Sequence, residues 1–240
     1  MGNKLQRWRK PYLTILYLVT AVVIFTCVCS NFIHIDLFKA KSDDSTVISK
    51  DYDLDNADFS SICLDLSFGE ATIKTGDSLS ISANYPEKFL PTVSCKNGKL
   101  LITQDHNGGI DFSDIEKDCA LVLIIPSTLS IDKVDLASQM GNIDAYDISC
   151  KKLYADCSMG DITIKNASCD EGDLDCDMGN INVNEITASN LDANCDLGNI
   201  SILDATIGTG DLDCSMGNIT FDGTYDSLDY ESSLGTCNIN

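Results

Sequence analysis

One tetrapeptide pattern recurs at a fixed spacing: Met140-Gly141-Asn142-Ile143, Met159-Gly160-Asp161-Ile162, Met178-Gly179-Asn180-Ile181, Leu197-Gly198-Asn199-Ile200 and Met216-Gly217-Asn218-Ile219. The interval is 19 residues each time, and a degenerate copy, Leu234-Gly235-Thr236-Cys237, follows after 18. A strict period of this length is the mark of stacked supersecondary units, each of which buries its apolar face only against its neighbours. Within a unit the apolar residues alternate, as at Leu191, Ala193, Cys195 and Leu197, and alternation resumes at Ile200 and Ile202. Period two means strands, and the Gly-Asn pair between the two runs bends the chain. The predicted fold class is all-β: a single parallel β-solenoid (β-helix) with 19-residue coils over residues 127–240. Each coil would hold a long strand, a corner, a shorter strand and a return loop, and would hydrogen-bond to the next about 4.8 Å away.

Side-chain volumes support this stacking. One column runs Val134, Leu153, Gly172, Leu191, Gly210 and its neighbour runs Leu136, Ala155, Leu174, Ala193, Leu212. From the second coil onward each large residue sits beside a small one, and the order reverses in the next coil. Close packing of stacked coils requires such interdigitation. The Met140, Met159, Met178, Leu197, Met216 column could be a metal-binding thioether ladder, but its apolar neighbours assign it to the core. The Asn142, Asp161, Asn180, Asn199, Asn218 column is read as structural, tolerating left-handed backbone and bonding along the stack. Cys157, Cys176, Cys195 and Cys214 share an inward column and are expected as buried thiols, since inter-coil disulfides would need local distortion.

Ahead of the repeats, residues 47–126 carry irregular strand signals at 62–67, 71–74, 79–83, 100–104 and 121–125, with turns at Asn97-Gly98 and Gly108-Gly109. This part is expected to start the solenoid and cap its membrane-proximal end. Residues 12–33 are apolar and uncharged, long enough for a bilayer core that needs about 20 residues. Basic residues precede them and acidic ones follow, so the expected topology is a single-pass cell-membrane protein: a cytoplasmic tail at 1–11, a transmembrane helix at 12–33, a linker at 34–46 and an extracellular remainder. A cleaved signal peptide is the rival, but its apolar core, 12–29, would be long and no A-x-A-like site follows. Cys27 and Cys29 lack the usual lipoprotein pattern before them, and Gln6 stands where myristoylation needs Ser or Thr.

The sequence resembles the bacterial putative-adhesin family of domains of unknown function found in cell-envelope proteins. The resemblance lies in FSSICLDL at 59–66, GEATI at 69–73, Gly76-Asp77, GKLLI at 98–102, LVLIIP at 121–126 and the Gly-Asn/Asp-Ile coils that follow. It covers nearly everything after residue 47. It implies an extracytoplasmic β-solenoid, often tethered behind a membrane helix, with adhesion as the role and no enzymatic residues to carry over.

The chemistry of the chain points the same way. Only two histidines occur, His34 and His106, which removes most constellations that rely on imidazole. Phosphate-cradling loops, zinc spacings and nucleophile elbows are missing too, so the expectation is a non-enzyme. Residues 36–240 carry 12 basic and 37 acidic groups, which disfavours nucleic acid and anionic lipid as partners. On the outward face of the long strand, fifteen positions hold ten acids and no Lys or Arg: Asp156, Asp173, Asp175, Asp177, Asp192, Asp196, Asp211, Asp213, Asp229 and Glu231. Asp is a poor strand former and like charges on adjacent strands repel, so something should offset the cost. This is the candidate cation-binding face. No resident cofactor is expected; calcium, a cationic polymer or surface, or a basic envelope protein would suit the carboxylates, and the alternative is a solubilising face that discourages aggregation. The expected function is a surface interaction module, with a sensory or regulatory envelope component acting through its membrane helix as the second reading.

Overall fold

The computed structural model describes residues 47–54, 58–104 and 118–240. The predicted tail, transmembrane helix and linker, residues 1–46, lie outside the described residues. Among the described residues, no helix is long and apolar enough to cross a membrane.

The fold is all-β, a parallel β-solenoid with 19-residue coils. Its regular part comprises β8 (Ile131–Met140), β9 (Ile143–Tyr146), β10 (Cys150–Met159), β11 (Ile162–Met178), β12 (Ile181–Leu197), β13 (Ile200–Met216), β14 (Ile219–Leu234) and β15 (Cys237–Ile239). The preceding strands are β1 (Val47–Tyr52), β2 (Ser61–Leu66), β3 (Glu70–Gly76), β4 (Ser80–Pro86), β5 (Thr92–Lys96), β6 (Lys99–Thr103) and β7 (Ala120–Pro126). From β10 onward the parallel register advances by one repeat: Leu153 faces Gly172, Gly172 faces Leu191 and Leu191 faces Gly210. In the last coil the offset drops to 18 between Ile202 and Ala205, which accounts for the shortened final spacing.

The return segment, expected as a loop, is instead a third paired run. Ala167, Ser168 and Cys169 pair with Ile186, Thr187 and Ala188, which pair in turn with Ala205, Thr206 and Ile207. The long strands β11, β12 and β13 each bend once, at Asn166, Glu185 and Asp204, whose φ values are 53°, 60° and 54°. Asn and Asp reach this left-handed conformation more easily than other residues. The sequence signal was weak because the three bend residues share no identity. The run itself packs inward through Ala167, Ile186 and Ala205 and through Cys169, Ala188 and Ile207, all buried.

The strands preceding the repeats are woven into the same stack. β2 lies between β6 and β8, and β3 lies between β7 and β9, all in parallel. Antiparallel strands then close the flanks, β1 on β4, β4 on β7 and β5 on β6. The Asn97-Gly98 turn closes the β5–β6 hairpin with φ values of 52° and 73°. Two positive φ angles are what a two-residue hairpin loop of the favoured hand requires. Sequence periodicity found β2, β3, β4, β6 and β7; it missed the short β5 and the largely exposed β1, neither of which shows clean alternation.

The two compensating columns are buried as expected, with Leu153, Leu174, Leu191, Ala193 and Leu212 almost inaccessible. A Cβ at Gly172 would lie 2.9 Å from Cδ1 of Leu191, so the side chain from the next coil occupies the space that glycine leaves.

The methionine column corrects the core assignment. Met159, Met178, Leu197 and Met216 are 41%, 45%, 42% and 48% exposed, and only Met140 is partly packed against the core. Alternation holds through Cys195 and Asp196 and then fails, because Asp196 and Leu197 both face outward as the chain turns into Gly198. The turn is made by glycine rather than asparagine. Gly141, Gly160, Gly179, Gly198 and Gly217 all have φ between 136° and 154°, and a Cβ on any of them would collide with the backbone of the coil before. The Asn and Asp residues that follow form a ladder. Oδ1 of Asn142, Asp161, Asn180 and Asn199 each accepts the backbone N–H of the equivalent residue one coil later, at 2.7–3.0 Å.

Candidate functional site

The ten acidic residues singled out by sequence are all exposed, on the outward side of the run that holds the compensating columns. Pairing arranges them in rows along the stack. Asp173 faces Asp192, which faces Asp211, which faces Asp229. Asp156 faces Asp175, which faces Asn194; Asp213 and Glu231 continue that row. Asp177 and Asp196 stand one step nearer the glycine corner. Neighbouring carboxylates in a row are thus attached to strands about 4.8 Å apart, with no side chain of opposite sign between them.

The electrostatic consequence is visible at three of the ten. Asp156, Asp175 and Asp192 have their carboxyl pKa raised, first because each is partly screened from water and second because surrounding Asp residues repel a further negative charge. Residues 166–240 contain fifteen acidic and no basic side chains, so nothing in those coils relieves the repulsion.

The face is not uniform. At the β8–β10 end a basic cluster adjoins it: Lys133 Nζ is 2.7 Å from Asp135, Lys151 Nζ is 2.6 Å from Asp132 and Lys152 Nζ is 2.6 Å from Glu171. The hydroxyl of Tyr154 donates to Glu171, and Lys133 sits 4.7 Å from the centre of its ring. Sequence reading missed this boundary. The available signal was the position of Lys152, one coil before Glu171 in the same outward column.

Among the described residues, no three His, Cys, Asp or Glu side chains converge closely enough to hold a metal ion. The carboxylates form extended rows rather than a cage, so what they offer chemically is a field of negative charge and a line of hydrogen-bond acceptors. Repeated donors or cations on a partner would suit this arrangement better than one tightly coordinated ion.

Behind the face lies the cysteine column. The thiols of Cys157, Cys176, Cys195 and Cys214 are unbridged and nearly inaccessible, and each donates at 3.3 Å to the carbonyl of a corner glycine in the preceding coil: Gly141, Gly160, Gly179 and Gly198. Hydrogen bonding to the Cys157 sulfur pushes the Cys176 thiol up to about 12, and burial pushes Cys214 up to about 11. Cys176 and Cys214, held protonated in this way, are poor nucleophiles, whereas the hydrogen bond with Cys176 lowers the pKa of the Cys157 thiol.

A family model described as Toastrack DUF4097 matches residues 59–239, most of the chain and all of the regular coils. The chain belongs to the Toastrack DUF4097 family. Two solved structures are similar to it in fold. A putative adhesin from Bacteroides fragilis is 19% identical, with a TM-score of 0.54, covering 81% of this chain and 97% of its own. A putative cell adhesion protein from Clostridium sporogenes is 12% identical, with a TM-score of 0.51, covering 80% of this chain and 98% of its own. No curated protein matches the chain. The Toastrack assignment agrees with the resemblance drawn from the sequence motifs.

Proposed function

We propose that this Toastrack chain is a non-catalytic adhesion module, tethered in the cell membrane by a helix at 12–33, which presents its acidic face outside the cell to a cationic surface, polymer or envelope protein. The observation that carries the reading is the register of the acidic rows: Asp173, Asp192, Asp211 and Asp229 face one another on successive strands, exposed and without basic neighbours. Charge repulsion of this kind is costly to the free fold and is relieved by a basic partner, which makes the face a better binder than an equally acidic but scattered surface. The adhesin names of the two similar structures agree with it.

The test is surface binding by the full chain in lipid nanodiscs, compared on polylysine, dextran and heparin coatings. Retention on polylysine alone is expected, and it should weaken steeply with salt. Replacing Asp173, Asp175, Asp192 and Asp211 with Asn should remove most of it. Equal retention of the variant, or equal binding to all three coatings, would sink the proposal. Protease protection in cells tests the topology: cleavage of the solenoid only from outside is expected.

A further inference from the structure

From Met159 onward the corner column, expected in the core, leaves its apolar side chains facing water, and Met140 at its start is half-buried. Met140, Met159 and Met178 face one another in register on β8, β10 and β11, followed by Leu197 and Met216 on the next two strands. Met159, Met178 and Met216 are 41%, 45% and 48% exposed. Packing does not demand sulfur in this column, because Leu197 occupies it with the same register and a similar exposure, 42%. What three successive methionines supply that leucine cannot is a row of thioethers.

We propose that Met140, Met159 and Met178 bind one monovalent soft cation of the copper(I) or silver(I) type. Thioethers are soft, uncharged ligands that select such ions over calcium, magnesium or zinc. Spacing supports the assignment. Metal–sulfur bonds are about 2.3 Å long, so two of them end to end span roughly the 4.7–4.9 Å that separates neighbouring strands. An ion held over Met159 on the middle strand is one strand spacing from Met140 and from Met178, a distance that unbranched, flexible methionine side chains cover by leaning towards it without distortion of the backbone. The neighbouring carboxylate of Asp177, also exposed, adds Coulombic attraction without competing as a soft ligand. Leu197 interrupts the row, so Met216 lies three strands from Met159, roughly 14 Å, and takes no part. The site lies at the corner, on the edge of the acidic face where Asp177 stands, and its ion binding does not depend on the adhesion proposal.

The chain contains only five methionines, Met1 and the four on the column, which makes the ligands directly observable. The full chain, labelled with carbon-13 at the methionine methyl groups and held in detergent with accessible thiols alkylated beforehand, is titrated with silver(I) in chloride-free buffer. The methyl signals of Met140, Met159 and Met178 should shift together and saturate at one ion per chain, while Met1 and Met216 stay put. Met159→Leu should abolish the shift at the other two, since it leaves them two strands apart; a residue already accommodated at 197 keeps the fold. Leu197→Met should extend the row to five sulfurs and raise the capacity to two ions. The proposal fails if no methyl signal moves, as when silver goes only to buried thiols, if all five move alike, if Met159→Leu binds as before, or if Leu197→Met leaves the capacity at one.

Discussion

The thiol of Cys195 donates to the carbonyl oxygen of Gly179, 3.3 Å away, in the coil before its own. The same bond recurs at Cys157, Cys176 and Cys214, and the column ends on Ser232, whose hydroxyl makes the equivalent bond to Gly217 at 2.8 Å. Serine is therefore a tolerated member of the column, and Cys195→Ser should cost little, about 1 kcal/mol or less, because it keeps the donor. Cys195→Leu should cost about 1–3 kcal/mol through overpacking beneath the corner. Thermal melts of the two variants check the ordering, and equal loss would mean that the bond and the volume are both irrelevant. Native alkylation at pH 8 should label exposed Cys237 readily and the four column thiols only after unfolding.

Gly172 tests the interdigitated core. Its missing side chain is replaced by Leu191 from the next coil, so Gly172→Leu should lose about 1–3 kcal/mol, read as a lower Tm. Gly172→Ala should be milder, since the contact at 2.9 Å is with the end of a flexible side chain. Gly172→Leu paired with Leu191→Ala should recover part of the loss. An unchanged melting temperature in the first variant would argue against the stacked register.

Much of this fold is legible in the sequence alone. A period of 19 with reversing volumes at Gly172, Leu191 and Gly210 has no other economical explanation than stacked coils, and the register confirms it. Two things were lost. Alternation counts parity along a strand, and parity does not survive a corner, so Met178 was assigned inward although it faces out. The bend at Asn166, Glu185 and Asp204 was hidden because a left-handed residue can be any of several types, so the third run read as a loop. The acidic rows were fully legible, since outward residues of a strand in fixed register must align. The basic cluster of Lys133, Lys152 and Tyr154 with Glu171 was not, because it joins coils at the edge of the regular repeat.

Deleting one repeat tests the architecture as a whole. Removal of residues 172–190 takes out one complete coil and brings Glu171 next to Leu191 in the register that Gly172 held, so the strand register continues, although Leu191 then meets Leu153 and Ala193 meets Ala155. The shortened chain should fold with a moderately reduced Tm, as expected of a solenoid whose stability sums over coils and interfaces. Deleting ten residues from the same place breaks every column and should prevent cooperative unfolding altogether. Equal damage from both deletions would contradict a nearest-neighbour stack.

Acidity should stabilise this fold over a defined range. Asp156, Asp175 and Asp192 bind a proton more tightly folded than unfolded, because partial burial and neighbouring Asp residues raise their pKa. A raised folded pKa means that stability is gained below it and lost as pH rises through it. Tm should therefore climb as pH falls from neutral toward the carboxylate range. It should fall again at stronger acidity, where Glu171 and Asp132, held low by bonds to Lys152 and Lys151, become protonated. A variant with Asn at 156, 175 and 192 should melt higher at pH 7 and show a flatter rise. A monotonic fall in Tm from pH 7 downward would contradict the repulsion argument.

Cations offer the last discrimination, between a face that merely carries charge and one that recognises it. Millimolar calcium should raise the Tm of the chain if ions settle along the rows of Asp173, Asp192, Asp211 and Asp229, because any ligand that prefers the folded state stabilises it by mass action. Sodium chloride at matched ionic strength is the control, since screening alone relieves repulsion between exposed charges. The geometry argues for a small excess of calcium over sodium: rows of carboxylates concentrate a divalent ion, but among the described residues no three acids converge to coordinate it. Replacing Asp173, Asp175, Asp192 and Asp211 with Asn should raise the basal Tm and erase the excess together, as both arise from one field. If sodium chloride reproduces the whole calcium effect, the rows have no preference for divalent ions, and their partner must be a surface or polymer whose positive charges are linked, where binding many rows at once supplies the affinity that single ions lack.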